Sequence, residues 1–531
     1  MKKATIMSML LLGIFCLNAS AQSSSLRNRF AAMQQKLDQP FDEYVNTINK
    51  EFEEFRDSIN KSFADFMEKS GWPKVPVKEG EVKPKRKEIP PVIFDEGKNK
   101  EQERKDEDKK DEKAKDNKSN KPKQEEALLP VKIIPVIEVP TDTLPVPQPT
   151  PVAPIRENEE AKDYAEFTVF GTPMKVRWGN LQQFKLEGDN EKAIAKAFRY
   201  LTDSEYNNLI RDCLSNRMEY NLCDWAYYKM LQAMTEKACG AGTNEARIAQ
   251  GILLNQSGYS VRFGYDPENK DLYFLVKTAS SPYGMSVAIL DDGYFYSLEK
   301  VKSRYLCVFN TPYPGEQVFS FDVSPLPTFA SQPSDDRTIS SGSYSVEASS
   351  SVNKNLIDFF ATYPASYTKE NIMFQWTSYA NTPISQEVKD KLYPKLEKII
   401  EGTDQKTAVN MLLNWVQTGF RYETDNVVWG EERSFFAEES LYYPYCDCED
   451  RSILFSHLVR DLLKLDVVLV YYPGHMATAV NFTEDVKGDY LELHGRKFII
   501  ADGTYIGAPV GRTMPGMSNE KAKVSLLKKE M

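Results

Sequence analysis

The sequence predicts an α+β fold in which a helix carrying a nucleophile packs on an antiparallel sheet, preceded by a second α+β body of similar plan. Three observations carry this expectation. Residues 451–463 place apolar side chains at helical spacing directly behind Tyr445-Cys446-Asp447-Cys448-Glu449-Asp450. Three apolar runs then follow at 467–472, 476–482 and 497–501, the first two joined by Pro473-Gly474, and they read as buried strands. Upstream, a helix from Thr243 to Leu254 precedes strands at 259–264, 272–276, 285–290 and 294–298, which is the same order of elements.

Taken from its start, the chain of 531 residues is long enough for two to four domains once non-globular stretches are removed. Residues 1–21 read as a signal peptide. Met1-Lys2-Lys3 leads an apolar run from Ile6 to Leu17, and Ala19-Ser20-Ala21 supplies the small-residue cleavage pattern. The mature protein is therefore expected outside the cytoplasm, periplasmic or secreted. A lipoprotein anchored through Cys16 is the less favoured alternative, because Gly13-Ile14-Phe15 puts a bulky residue directly before the cysteine. No later stretch reaches the roughly 18 apolar residues needed to span a bilayer.

Residues 22–75 form an amphipathic helical segment. Phe41, Val45, Ile48, Phe52, Phe55, Ile59 and Phe66 recur at steps of three and four, with Ser62 filling the one gap, so this stripe is expected either to pack on the body or to self-associate loosely through residues 41–66. Residues 76–160 are expected to be a disordered linker, because mixed charges up to Glu126 bury little surface and Pro130, Pro135, Pro140 and Pro145 then stiffen the chain.

Residues 161–310 form the first α+β body, with a hairpin at 168–178 and helices at 190–202 and 223–237. Within it Asn244 stands in the nucleophile's place. Pro282-Tyr283-Gly284-Met285 echoes Pro473-Gly474-His475-Met476, and Ser297 falls near the position of Asp502. This body is either a degenerate copy of the later one or a coincidence of a common layout. A connector at 311–336 leads to the catalytic region 337–531, whose helices at 385–401 and 403–418 would support the core. Trp429, Phe435, Phe436, Tyr442, Tyr443 and Tyr445 would line a substrate groove or pack.

The candidate catalytic residues are Cys448, His475 and Asp502. Cys448 opens a helix, where free N–H groups and the dipole favour a thiolate and can later hold an oxyanion. His475 starts a strand after the Pro-Gly turn, and Asp502 follows a strand that ends at Ala501. That arrangement lets His475 share the thiol proton while Asp502 fixes the ring. The plain alternative is a pair of structural cysteines and a satisfied histidine. The chain has only His457, His475 and His494, and only His475 stands before a buried strand with an Asp-ended strand close behind.

The segments Asp447-Cys448-Glu449-Asp450, Gly474-His475-Met476-Ala477 and Ala501-Asp502-Gly503-Thr504-Tyr505 resemble the three signature segments of the transglutaminase-like superfamily. The resemblance covers the last third of the chain. It implies a papain-like transglutaminase core and a Cys448 thioester, formed on an amide or isopeptide bond of a peptide or protein. Cys446 departs from the small residue that many members carry there. Hydrolysis is favoured over cross-linking, since no walls that would exclude water are evident. A non-catalytic binding or scaffold protein is the opposing expectation.

Beyond the signal the cysteines are Cys213, Cys223, Cys239, Cys307, Cys446 and Cys448. Reserving Cys448 leaves five, so at least one more stays free or pairs between chains, and Cys213 suits a bridge to Cys223 or Cys239. No metal or cofactor is expected, since no CxxC pairs with another. The net charge of -10 and the absence of a basic aromatic patch exclude a general nucleic-acid binder.

Overall fold

The computed structural model describes residues 24–95, 155–157, 162–368, 373–518 and 522–528, with side chains from residue 47 onward apart from residue 204. The signal segment, Cys16 and most of the linker lie outside them. The described chain is a mixed α+β structure, and no helix in it is long and apolar enough to cross a membrane.

Helix α1 (Ser24–Lys69) docks on the first body by a different face from the one its apolar pattern marks. Arg56, Asn60, Phe63 and Met67 are buried, whereas Phe52, Phe55 and Phe66 are exposed. Two polar side chains decide this rotation. Arg56 Nη2 donates to Asn207 Oδ1 at 2.7 Å and Asn60 Nδ2 to Gln256 Oε1 at 3.1 Å, while Phe63 joins a ring cluster with Phe198, Phe309 and Tyr313. Counting apolar residues cannot anticipate a face chosen by buried hydrogen bonds.

The expected linker fails over residues 76–95, which are ordered. Strand β1 (Lys74–Lys78) leads into an extended segment that ends at β2 (Val92–Ile93). The physical reason is pairing: β1 adds to the first body's sheet and β2 to the second body, so this charged stretch borrows its order from neighbours.

In the first body, the hairpin Ala165–Val169/Thr172–Val176 and the helices Glu191–Leu201, Asn207–Glu219 and Asp224–Cys239 precede α2 (Asn244–Gln256). Strands β3 (Val261–Tyr265), β4 (Leu272–Lys277), β5 (Ser286–Leu290), β6 (Gly293–Ser297) and β7 (Tyr305–Phe309) follow. They pair antiparallel in the order β7-β3-β4-β6-β5, and β1 joins the two edges into a closed barrel. Closure removes both sheet edges.

The second body begins with the hairpin Arg337–Ser340/Glu347–Ser350 and continues to α3 (Gln386–Ile400), capped by Ser385, and α4 (Gln405–Gly419), capped by Asp404. Helix α5 (Cys448–Leu463) leads into β8 (Asp466–Tyr472), β9 (His475–Asn481), β10 (Tyr490–Leu493), β11 (Arg496–Ala501), β12 (Tyr505–Ile506) and β13 (Lys523–Leu526). The main sheet reads β10-β11-β9-β8-β13.

The two bodies thus share one helix-then-sheet order, with α2 and α5, β3 and β8, β4 and β9, β5 and β10, β6 and β11, and β7 and β13 in equivalent places. Local contacts fix the register. Asn244 Oδ1 accepts the Leu272 N–H at 2.9 Å at the start of β4, and the Met476 N–H at the start of β9 faces the Cys448 sulfur. Cross-strand pairs Val276↔Tyr296 and Val480↔Ile499 then set Asp271 at the place of His475 and Glu299 at that of Asp502. The expected echo at Pro282–Met285 is therefore one strand late, and Ser297 is two residues early. Arg247, equivalent to Arg451, bonds Glu299 Oε2 at 2.7 Å and Asn244 Oδ1 at 3.2 Å, so an ion-pair network stands where a thiol and imidazole would be needed.

The Cys213 bridge expected from the cysteine count does not form. All six described cysteines are free thiols, and Cys213 is buried beside the Met234 sulfur at 3.9 Å.

Gly251 on α2 lets the helix lie close to the barrel, since a Cβ there would sit 2.8 Å from the Phe274 ring and 3.0 Å from that of Phe263. Gly251→Ala is expected to cost about 1–3 kcal/mol through overpacking. Urea unfolding should show a lowered midpoint, and an unchanged one would contradict this packing.

Candidate active site

Asp447 has extended backbone and Cys448 is the first residue of α5, so the sulfur sits at the helix's positive end. The helix packs on β8 and β9, and Ser452 Oγ donates to Met476 O at 3.3 Å. The thiol therefore lies at the beginning of β9, whose first residue is His475. His475 Nε2 pairs with Asp502 Oδ2 at 2.8 Å. Asp502 Oδ1 in turn accepts the backbone N–H groups of Thr504 at 2.8 Å and Tyr505 at 3.2 Å, which holds the carboxylate in place. His475 Nδ1 is buried with no hydrogen-bond partner.

Two further side chains position this corner. Gln417 on α4 donates to Asp502 O, Tyr505 O and Ala508 O at 2.8–3.0 Å, and Arg451 Nη1 reaches Gln417 O and Gly503 O at 3.1 Å. The loop after Asp502 is thus bound to both α4 and α5.

The three expected residues come together at one end of the sheet, but the thiol's own hydrogen bonds differ from the expected pair. Cys448 Sγ donates to Glu449 Oε2 at 3.3 Å rather than to the imidazole. Burial and then the Glu449 carboxylate raise the thiol well above its ordinary value, against the pull of Arg86 and of the Met476 N–H. The expected depression by the helix start is overridden in this closed state. Cys446 is also buried, which pushes its thiol up to about 11.

Sequence reasoning missed the surroundings of the thiol. Asp425, Glu432, Asp447, Glu449 and Asp450 are all buried around it. Burial works against ionising Glu449, yet the Arg86 guanidinium overcomes it and holds this carboxyl at about 2. Burial, reinforced by Glu449, raises Asp447, Asp450 and Glu432 above the usual carboxylate range. Asp425 is pushed up to about 9 by burial and then by Asp450 and Glu449. The donor atoms of Asp425, Glu432 and Glu449 lie within 4.8 Å of one another, close enough to share a cation, and so do those of Asp447, Cys448 and Glu449. Arg86 bonds the carboxylate common to both groups, so a guanidinium supplies the positive charge here.

Of the two expectations for the crowded aromatics, lining a groove or packing, the structure has the packed one. Phe436 stacks on Phe360 and Tyr379, and Trp429 meets Phe435 and Tyr443 beneath the Arg433 guanidinium. A groove of about 810 Å³ lies elsewhere, walled by Trp376, Tyr471, Pro473 and Tyr283 together with residues 83–90. Its trace in the sequence was Ile89-Pro90, where an apolar run begins amid charges. No family model, curated protein or solved structure matches the chain.

The folded-state value of Asp425 lies above its unfolded one, so the folded protein retains a proton there. The cost of ionising it grows as pH rises from the ordinary carboxylate range to about 9. Asp425→Asn removes that cost while keeping an acceptor for the Arg433 N–H, which Asp425 now binds at 2.6 Å. The drop in thermal midpoint between pH 6 and pH 9 should shrink by a few degrees relative to the parent. An equal drop in both proteins would contradict a protonated Asp425.

Proposed function

We propose that the chain is an exported cysteine enzyme with a papain-like transglutaminase core, cleaving amide or isopeptide bonds of a peptide or protein through a thioester at Cys448. The observation that carries this reading is the buried His475–Asp502 pair, with Nδ1 of the ring unclaimed, at the strand start whose next N–H faces the Cys448 sulfur. The signal-like start of the chain supports export.

The bond between Asp502 and Nε2 leaves Nδ1 as the nitrogen that exchanges a proton with the thiol. His475 takes the Cys448 proton as the sulfur adds to the substrate carbonyl carbon, and Asp502 stabilises the imidazolium. Backbone N–H groups at the start of α5 face the developing oxyanion. Collapse expels the amine, which leaves with the proton from His475, and a thioester remains. Water then adds to the thioester as His475 accepts its proton. The acid departs and the Cys448 thiol is restored. Attack by a lysine amine in place of water would turn the same thioester into a cross-link, and hydrolysis is the favoured outcome.

Cys448→Ala is expected to abolish turnover, and His475→Ala to cost nearly as much, because groups acting as a unit are strongly non-additive. Asp502→Asn keeps a partner for the ring but withdraws the charge, so a rate loss on the order of 10³ to 10⁴ is expected by analogy with serine triads. Peptide-hydrolysis assays on variants shown folded by circular dichroism test this. Activity within a few-fold of the parent in all three would favour the binding or scaffold role instead.

A further inference from the structure

Residues 79–94 lie across the mouth of the candidate site as a strap fastened at both ends. At the first body, Glu81 O accepts the Gly284 N–H at 2.9 Å, and Gly80 lies so close to Met285 that a Cβ would meet its carbonyl oxygen at 2.3 Å. At the second body, β2 pairs parallel with β12, the Phe94 N–H bonds Ile506 O at 2.9 Å, and the Phe94 ring meets Tyr505 edge-on. Between these anchors the Ile89 N–H donates to Gly474 O at 3.2 Å, directly before His475. Gly474, at φ +84°, has no room for a side chain, since a Cβ would stand 2.5 Å from Lys87 O.

The middle of the strap carries the charge that answers the buried acids. Arg86 Nη2 bonds Glu449 and lies 3.4 Å from Glu432 Oε1 and 3.6 Å from Asp447 Oδ2, while its guanidinium sits over Trp376 at 5.3 Å. Lys83 Nζ donates to Glu432 O at 2.9 Å. Cys448 and His475 are fully covered, at 0 % exposure. The cover is nevertheless an imperfect fit. Arg86 Nε and Nη1 and Glu432 Oε2 are buried with no hydrogen-bond partner, so donors and an acceptor remain unsatisfied in the same recess.

We propose that residues 79–94 are an internal pseudosubstrate, and that Glu432, Asp447 and Glu449 form a specificity subsite beside Cys448 for an arginine or lysine side chain of the true peptide substrate. Arg86 occupies that subsite in the closed chain. A basic peptide able to satisfy the unpaired carboxylate oxygens of the recess, Glu432 Oε2 and those of Asp447, displaces it, and displacement opens the thiol. The inference rests on Cys448 being the reactive residue of the proposed function, and the test below reads occupancy without requiring turnover.

Iodoacetamide labelling of the full-length protein, read cysteine by cysteine with mass spectrometry, tests the cover. Arg86→Glu sets a like charge against the three carboxylates. It should speed Cys448 labelling on the order of tenfold or more, with buried Cys213 and Cys223 unchanged as controls for folding. Arg86→Ala should give a smaller increase in the same direction. Labelling at the parent rate in both variants would overturn the strap.

The subsite is tested in the Arg86→Ala protein with synthetic peptides of residues 79–94. The peptide carrying arginine at position 86 should protect Cys448 from labelling on the order of tenfold better than one carrying citrulline, which keeps the shape without the charge. Adding Glu432→Gln should narrow that gap. Equal protection by the two peptides would overturn the cationic subsite. Protection by the arginine peptide in a protein that hydrolyses nothing would sustain the subsite and sink only the proposed chemistry.

Discussion

A helix start crowded with buried carboxylates cannot hold its charge without a cation, and Arg86 supplies it. Glu449 is adjacent to Cys448 and fully buried, and it stays ionised because the guanidinium lies against it. Its neighbours Asp447 and Asp450 are driven toward their neutral forms, since several carboxylates cannot all ionise in so little solvent. The thiol shares this field. Burial and Glu449 hold it protonated, while the His475–Asp502 pair stands ready at the next strand. Covering the site and neutralising it are therefore the work of one side chain.

The same segment ties the two bodies together. Strand β1 closes the barrel of the first by joining β5 to β7, and β2 pairs beside the loop that follows Asp502 in the second. The bodies share a strand order but differ in chemistry. Arg247 is held by Asn244 and Glu299 in the first body, whereas in the second the equivalent Arg451 turns to backbone carbonyls and leaves Cys448, His475 and Asp502 free of it. One helix-then-sheet order thus carries an ion-pair network in the first body and an uncommitted Cys448, His475 and Asp502 beneath residues 79–94 in the second.

Much of the second body was legible because its signals are local. Ser385 caps the helix it was read to start, Asp404 caps the next helix one residue after its expected start at 403, the Pro473-Gly474 turn sets His475 at the first position of β9, and the apolar runs fall on β8, β9 and β11. What escaped depends on partners distant in sequence. The docked face of α1 follows Asn207 and Gln256, more than 150 residues away. The order of residues 76–95 follows pairing with strands up to 413 residues further along. The thiol's raised value reflects burial and then the Glu449 carboxylate, which stays ionised through Arg86, 363 residues earlier in the chain. Composition reads Lys83–Lys87 as a solvated charge run, and only the fold discloses the acids that oppose it.

The account turns on Cys448 and His475 acting as a couple once the strap is displaced. The most direct measurement is the rate of Cys448 alkylation against pH in full-length Arg86→Glu protein, with His475 intact and with His475→Ala. A couple predicts that the intact protein's thiol titrates at the lower pH and that removing the imidazole moves the profile upward, because the imidazolium stabilises the thiolate. Superimposable profiles would contradict the couple and with it the cysteine-enzyme reading.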